Sequence, residues 1–490
     1  MGQFFQRKAL PDPQASTSGG LHRTIGLTSL MLMGVGSTLG TGIFFVLTET
    51  APLAGPAVII SFLVAAFAAG LTALCYAEVA SAIPVTGSSY TFTYMTMGRG
   101  LALFVGACLV LEWGVAAAAV AVGWSSYLNE ALVLLTGHAI PPTFRMSSLQ
   151  AGPVATDSIH VGNIPAMLVV WMCAAVLLKG SGQSSKLNAV LTTCKIALLL
   201  LFVVMVIPVF DTGNFTPFMP SGVSGVSQAA AIVFFSFVGL DSVVNASEET
   251  VNPDRNLPKA IIGALAIVTG VYLLVTVASL GAQKIEFFRV QSAGLAEILR
   301  QATNTSGGAT VLACGAVISI FSVTLIALYG QARVYFAMAR DGLLPDRLQK
   351  VDPTTGTPRV ATVVSALVVT PMAGFVPSHM LWGLVSIGTL MAFIAVSVSL
   401  ILLRKNHPQL RRGFSVPLYP VTPILSIVCC AYLILSLGVS VHLAFIAWIA
   451  LTSTVYLVVR KVAARACQEP STMEPESAPG TPCAQGRIAI

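Results

Sequence analysis

Hydrophobic positions gather into twelve runs along this chain, at 25–49, 56–79, 101–128, 164–178, 187–209, 226–248, 258–281, 309–334, 360–377, 380–403, 421–438 and 442–459. Runs of about 20 apolar residues match the length of a membrane-spanning helix, and a closed barrel would instead show short alternating segments. The pattern predicts an all-α polytopic membrane protein with twelve transmembrane helices. Pro56, Pro165 and Pro258 fall at or near run starts, where a helix tolerates a missing amide proton.

Composition agrees with this reading. Of 490 residues, 55% are hydrophobic and only 9% are charged, and the mean hydropathy is +0.84. A soluble domain carries roughly 25% charged residues, so the solvent for most of this chain is lipid. The nine cysteines show no metal-ligand or disulfide spacing and lie mostly inside apolar runs, as small hydrophobes do. No metal site or cofactor is expected. The polar N-terminus and the length of the first apolar run argue against a cleavable signal peptide.

Lysine and arginine set the expected orientation. If the N-terminus is cytoplasmic, 21 of the 26 basic residues fall on the inside, four (Arg145, Lys284, Arg289, Arg300) outside, and Lys195 within a span. Both termini are thus expected in the cytoplasm, and topology accounts for most of the +7 charge without a nucleic-acid partner. Residues 1–24 and 461–490 are rich in Pro, Ser and Gly and read as disordered tails around a transmembrane domain at 25–460. The outer loop 282–308 has amphipathic helical spacing and is expected to lie across the outer surface, as packing or as a lid.

Four ionisable residues interrupt apolar runs: Glu78, Glu112, Lys195 and Asp241. Each costs several kcal/mol facing lipid, so each is expected to face the bundle interior and find partners. At 1.5 Å per residue, Lys195 and Asp241 lie roughly 11–12 Å from the cytoplasmic ends of their spans, and Glu112 nearer the midplane. One network handling an ion or proton fits these depths, and so does a structural ion pair. Glu78, near an inner helix end, is expected to be structural or to reach water.

Residues 34–44 read GVGSTLGTGIF, with four glycines inside an expected span. The spacing is not the dinucleotide fingerprint, and no strand precedes it. Gly36 and Gly40 form a GxxxG pair suited to close helix packing, but Thr41 and Gly42 are left over. A break at Gly40-Thr41-Gly42 accounts for them: it exposes amides that favour a carboxylate and carbonyls that favour an ammonium. A second interruption is expected at Ser236–Gly239 in run six. Runs one and six hold corresponding places in two five-helix halves of opposite orientation, the arrangement that marks a transporter's midplane site. A ligand with a carboxylate and an ammonium is an amino acid.

The stretches GVGSTLGTGIF, LCYAEVASAIPVTGSSYTFTY, LEWGVAAAAVAVGWSSY, NFTPFMPSG, FFSFVGLDSVVNASEETVNPDRNLPKAI and YGQARVYFAMARDGLLP resemble the cationic amino acid transporter family, within the amino acid–polyamine–organocation superfamily. The resemblance spans about residues 22–460. It implies the five-plus-five inverted repeat of the sodium-coupled leucine transporter, with discontinuous helices one and six and two further C-terminal helices. It further implies that Thr38, Leu39, Gly40, Thr41 and Gly42 hold the substrate carboxylate. Carbonyls around Phe235, Ser236 and Val238 would take the amino group, with Phe235 as an aromatic gate. Lys195 would stand where sodium-driven relatives bind sodium, and with Glu112 and Asp241 would couple a proton to opening. Asp241 lies near the pocket, and Glu248–Pro253 resembles the inner gate. Apolar residues in run eight, including Ala327 and Leu328, lean toward a neutral or broad substrate range.

Rival classes fit less well. The histidines fall in loops, at interfaces or in the N-terminal tail, and no second deep aspartate joins Asp241, so an intramembrane enzyme is not expected. A channel filter needs symmetric assembly. The loop between runs two and three holds one arginine, unlike a major-facilitator transporter. The reading is a proton-coupled, sodium-independent amino acid permease of the cytoplasmic membrane, with an exchanger or facilitator of cationic amino acids or polyamines as the alternative. No partner subunit is evident.

Overall fold

The computed structural model describes residues 7–8, 25–40, 42–84, 87–147, 161–180, 185–288, 294–303, 306–353, 355 and 357–466. Helix accounts for most of this, and no strand forms among the described residues beyond an isolated bridge between Ile25 and Thr250. Eight helical segments are long and apolar enough to cross a membrane, and four shorter apolar helices (Leu27–Thr38, Ile164–Leu178, Arg359–Phe375 and Val421–Leu435) accompany them. Ten of the twelve apolar runs each fall mainly on one helix, and runs one and six each divide between helical segments.

In chain order the elements that position the site are α1 (Leu27–Thr38), α2 (Gly42–Ala54), α3 (Val58–Ala82), α4 (Ser88–Thr96), α5 (Arg99–Thr136), α6 (Ile164–Leu178), α7 (Ser185–Val206), α8 (Gly222–Val233) and α9 (Ser242–Asn245). After them come α10 (Pro253–Ala282), α11 (Ile285–Phe288), α12 (Gly294–Thr303), α13 (Ser306–Arg340), α14 (Arg359–Phe375), α15 (Ser378–Asn406), α16 (Val421–Leu435) and α17 (Val439–Ala466). The long α5 packs on α13 and α15, α3 packs on α10, and α1 lies against α10 and α7. By contrast α17 is largely exposed, with Leu443, Ile446 and Leu451 turned outward, as suits a lipid-facing helix.

Both glycine-marked interruptions are present. α1 stops at Thr38, because Leu39 leaves the helical region (φ −72°, ψ 71°). Gly40 N–H then turns back to Thr38 O at 2.8 Å. Thr41 lies outside the described residues, and α2 starts at Gly42. In the second interruption α8 gives way to a 3-10 turn, Phe234–Phe237. The chain opens only at Val238, which is extended (φ −65°, ψ 141°). The α-helix is thus interrupted from Phe234 to Asp241, and the break expected at residues 236–239 lies inside this stretch, its first half a 3-10 turn. Gly239 follows at φ 106°, a conformation other residues rarely adopt, and a Cβ there would meet Ser37 O at 2.9 Å.

Several ties hold the ends of the bundle. The segment after α9 meets the start of α1: Ile25 N–H donates to Glu249 O, and Val251 N–H to Ile25 O, both at 3.0 Å. Lys8 departs from the disordered tail expected for residues 1–24. Its N–H donates to Tyr94 O at 3.3 Å and its Nζ lies 2.8 Å from Asp341 Oδ1. Glu78 does not reach water. It is fully buried and accepts from Arg404 Nε (2.7 Å), Arg404 Nη2 (2.6 Å) and Val416 N–H (2.6 Å), with Arg412 Nε at 3.3 Å. At the opposite end the loop after α10 forms α11 and α12, as its amphipathic spacing predicts. Leu295, Ala296, Ile298 and Leu299 are buried, and Tyr127 OH donates to Phe44 O (2.7 Å) while accepting from Leu295 N–H (3.0 Å).

Candidate functional site

The two breaks lie against each other. A Cβ built on Gly42 would sit 1.9 Å from Ser236 Oγ, 2.3 Å from its Cβ and 2.7 Å from its Cα, so only glycine lets α2 approach the second break this closely. Ser37 Oγ lies 2.8 Å from Gly239 O and 2.7 Å from Ser242 Oγ, joining α1 to both sides of the second opening. On α10, the buried Tyr272 hydroxyl is 2.7 Å from Thr38 O and 2.7 Å from Ser236 O. One hydroxyl proton thus serves carbonyls from both breaks, and edge contacts to Phe62 and Phe237 hold the ring in place.

Beside this crossing lies a cavity of about 20 Å³ lined by Ser37, Phe235, Val238 and Gly239 from the breaks, Trp113, Ala116 and Val120 from α5, and Val323, Ile326 and Ala327 from α13. That volume suits about one water molecule. Apart from Ser37 and the backbone of the break, the walls are apolar. The Trp113 indole packs on Gly330, where an added Cβ would come within 2.6 Å of the ring.

The residues expected at the site fall into distinct places. Phe235 and Val238 line the cavity, and the Phe235 ring stacks at a tilt on Trp382 with centroids 4.8 Å apart. Gly40 packs on Val323, which a Cβ would approach to 2.3 Å, and Leu39 is fully buried. Thr38 donates its hydroxyl back to Gly34 O (2.8 Å), so its side chain is engaged within α1. The Ser236 carbonyl, expected to face an ammonium, already accepts from Tyr272. Asp241 lines a different cavity, with Tyr76 and Phe393. The expected single charge network also divides. Glu112 and Asp241 stand within electrostatic reach of each other, whereas Lys195 Nζ donates to Gly36 O at 3.2 Å and forms no ion pair among the described residues.

Sequence reasoning missed Tyr272, Ser37 and Trp113. A tyrosine alone in the apolar run of α10 was the available signal, because a buried hydroxyl needs a partner. Tyr272→Phe keeps the ring and removes only the bridge. It is expected to raise the substrate KM about 5-fold and to lower the melting temperature slightly, since two buried backbone carbonyls lose a shared donor worth about 1 kcal/mol and drift apart. Uptake kinetics beside a thermal melt check this.

A family model described as amino acid permease matches residues 25–459. The chain belongs to the amino acid permease family. Among curated relatives, the branched-chain amino acid permease BcaP of Bacillus subtilis (strain 168) is 41% identical over 461 residues, 93% of this permease and 97% of the relative. The methylthioribose transporter of the same organism is 39% identical over 458 residues, again 93% and 97%. Vacuolar cationic amino acid transporter 2 of Arabidopsis thaliana is 32% identical over 396 residues, 79% of this permease and 61% of that protein. The resemblance read from the motifs is thus real, at lower identity than to the Bacillus proteins. The permease is an integral membrane protein of a transport family, not an enzyme.

Proposed function

We propose that the permease takes up neutral, apolar amino acids by alternating access, coupled to protons and independent of sodium. In this reading it crosses the cytoplasmic membrane twelve times with both termini inside. Two inverted repeats, about 25–209 and 226–403, precede two C-terminal helices at about 421–459, as in the leucine-transporter fold. The meeting of the two breaks at Gly42 and Ser236, beside an apolar cavity, carries the proposal.

The substrate carboxylate would lie at the start of α2, where the first amides of any helix lack partners within it, at Gly42 and with the adjoining Thr41. The ammonium would face the carbonyl of Val238, because that of Ser236 is bonded to Tyr272 and that of Phe235 to Val238 N–H. The side chain would enter the space between Trp113, Ala116, Val120, Ile326 and Ala327, where no charged group lines the wall. An arginine side chain would bury its charge there without a partner, at a cost of several kcal/mol. A one-water cavity is too small for any amino acid, which supports a cycle in which the breaks must part to admit substrate.

Labelled leucine, isoleucine and valine, beside arginine, lysine and methylthioribose, should be offered to proteoliposomes with and without an inward proton gradient, sodium absent. Accumulation of the branched substrates is expected, several-fold greater with the gradient. Uptake of arginine or lysine alone overturns the apolar reading. Failure of every amino acid overturns the substrate class, and indifference to the gradient leaves an exchanger or facilitator.

A further inference from the structure

The chain between α15 and α16, residues 407–420, runs across the end of α3 and the start of α10 as a strap. Near the end of α3, Glu78 accepts from Val416 N–H (2.6 Å) and lies 3.3 Å from Arg412 Nε, and Ser81 Oγ accepts from Phe414 N–H (3.3 Å). Arg404, in the last turn of α15, adds two bonds to the same carboxylate. Arg412 also donates to the His407 and Pro408 carbonyls, at 3.0 and 3.2 Å, which stiffens the strap itself. At Gly413 the strap presses on the first turn of α10, where a Cβ would sit 2.4 Å from Asp254 O and 2.6 Å from Asp254 Cβ. Deeper in the bundle, Ser426 Oγ on α16 lies 2.7 Å from Thr72 Oγ1 on α3 and accepts from Ser397 Oγ on α15 at 3.0 Å. α3 is thus fastened to α15 and α16 at two levels, and α10, packed along α3, is held at its start.

The start of α1 reaches the same end of the bundle on weaker fixings. Its clasp to residues 249–251 is two neutral backbone bonds, and bonds to a charged group are roughly twice as strong. Its seam with α9 and α10 is apolar and built on small residues, with Gly34 against Val243 and Ala264 and Met31 against Gly263. One long bond, Thr192 Oγ1 to Leu32 O (3.3 Å), joins its middle to α7. The stronger ties, Lys195 Nζ to Gly36 O, Ser37 Oγ to Gly239 O and Tyr272 OH to Thr38 O, gather at the break, where α1 would pivot. Parting the strap from α3 strands the buried Glu78 carboxylate, whereas parting the clasp frees only backbone groups that water can satisfy.

We propose that the strap makes α3 and α10 part of a stationary frame, so that this end of the permease opens by α1 tilting about its break and leaving α10 behind. This rests on the reading of the permease as an alternating-access carrier. In the rival motion α1, α3, α9 and α10 move as one body, and the strap must leave Glu78 or Asp254 in every cycle.

Two disulfide locks separate these motions. Asp254→Cys with Gly413→Cys locks the strap. Both positions are exposed, and the 2.6 Å between Asp254 Cβ and a Cβ built on Gly413 is about 1 Å short of a disulfide's span, a gap the loop can take up. Ile25→Cys with Thr250→Cys locks the clasp, at the paired positions of the isolated bridge. Labelled leucine uptake by proteoliposomes is measured before and after oxidation, with cross-linking scored by loss of free thiols. The unaltered permease is oxidised in parallel, because its described cysteines are free. The oxidised strap variant is expected to keep uptake within about 2-fold of its reduced form, and the oxidised clasp variant to lose it at least about 10-fold, with recovery on reduction. Loss of uptake on locking the strap overturns the proposal, as does full uptake with the clasp locked. If the reduced strap variant is inactive, Ser81→Cys with Phe414→Cys, bridged by a short bifunctional thiol reagent, places the lock elsewhere on the same strap. Absence of amino acid uptake by the unaltered, reduced permease would instead overturn the transport reading itself.

Discussion

Gly42→Ala is expected to cut transport about 100-fold and to lower stability as well. The added methyl would overlap Ser236 Oγ at 1.9 Å and the Ser236 backbone Cα at 2.7 Å, so the two breaks must separate. Overpacking of this kind costs about 1–3 kcal/mol, and a shift of about 1 Å at a binding centre is enough for a 100-fold loss. A purely carboxylate-binding role for Gly42 predicts a folded variant that fails to bind. Contact with Ser236 adds a lower melting temperature. Ser236→Gly in the same chain removes the Oγ and Cβ but leaves the Cα, so the double variant should recover part of the stability. Surface amount, thermal melting and leucine uptake of the two variants decide the matter. Unchanged melting and uptake in Gly42→Ala would show that the breaks do not touch.

Arg404→Met carries the second large effect, and it falls on stability. Glu78 is fully buried, and Arg404 supplies two of its bonds, at 2.7 and 2.6 Å, with the guanidinium 4.1 Å from the Tyr419 ring centroid. Removing one partner of such a pair costs about 3–5 kcal/mol, because the remaining charge keeps its desolvation penalty. Arg412 and the Val416 amide stay, which places the expected loss near the lower end. Adding Glu78→Gln should recover part of it, since no charge is then stranded. Melting of the detergent-solubilised variants measures both steps, and equal melting of Arg404→Met and the unaltered permease would show that the pair contributes nothing.

The helices and their breaks were legible because both depend on local chemistry. Apolar runs mark the helices, and glycines mark the places where a helix stops. Only the centre of the second break was marked, because a 3-10 turn leaves no trace in residue type, and Thr41 stays outside the described residues. Long-range pairings were not legible. Glu112, Asp241 and Lys195 share similar depths, yet depth says nothing about azimuth, and the lysine turns to the Gly36 carbonyl of α1 and to neither acid. Glu78 could be marked as buried but not matched to Arg404, which lies far along the chain. Gly42 read as a helix breaker, and its contact with Ser236 became visible only once the two breaks were seen side by side.

The two backbone bonds between Ile25 and the segment after α9 also bear on speed. At about 0.5–1.5 kcal/mol each, they favour the joined arrangement of these two segments by roughly 5- to 150-fold. A clasp of that strength keeps the segments joined most of the time and still opens thermally. Because it is made of main chain, a new side chain at Ile25 or Thr250 can tune its grip but not abolish it. Proline at Val251 or at Ile25, each removing one of the two donors, would halve it.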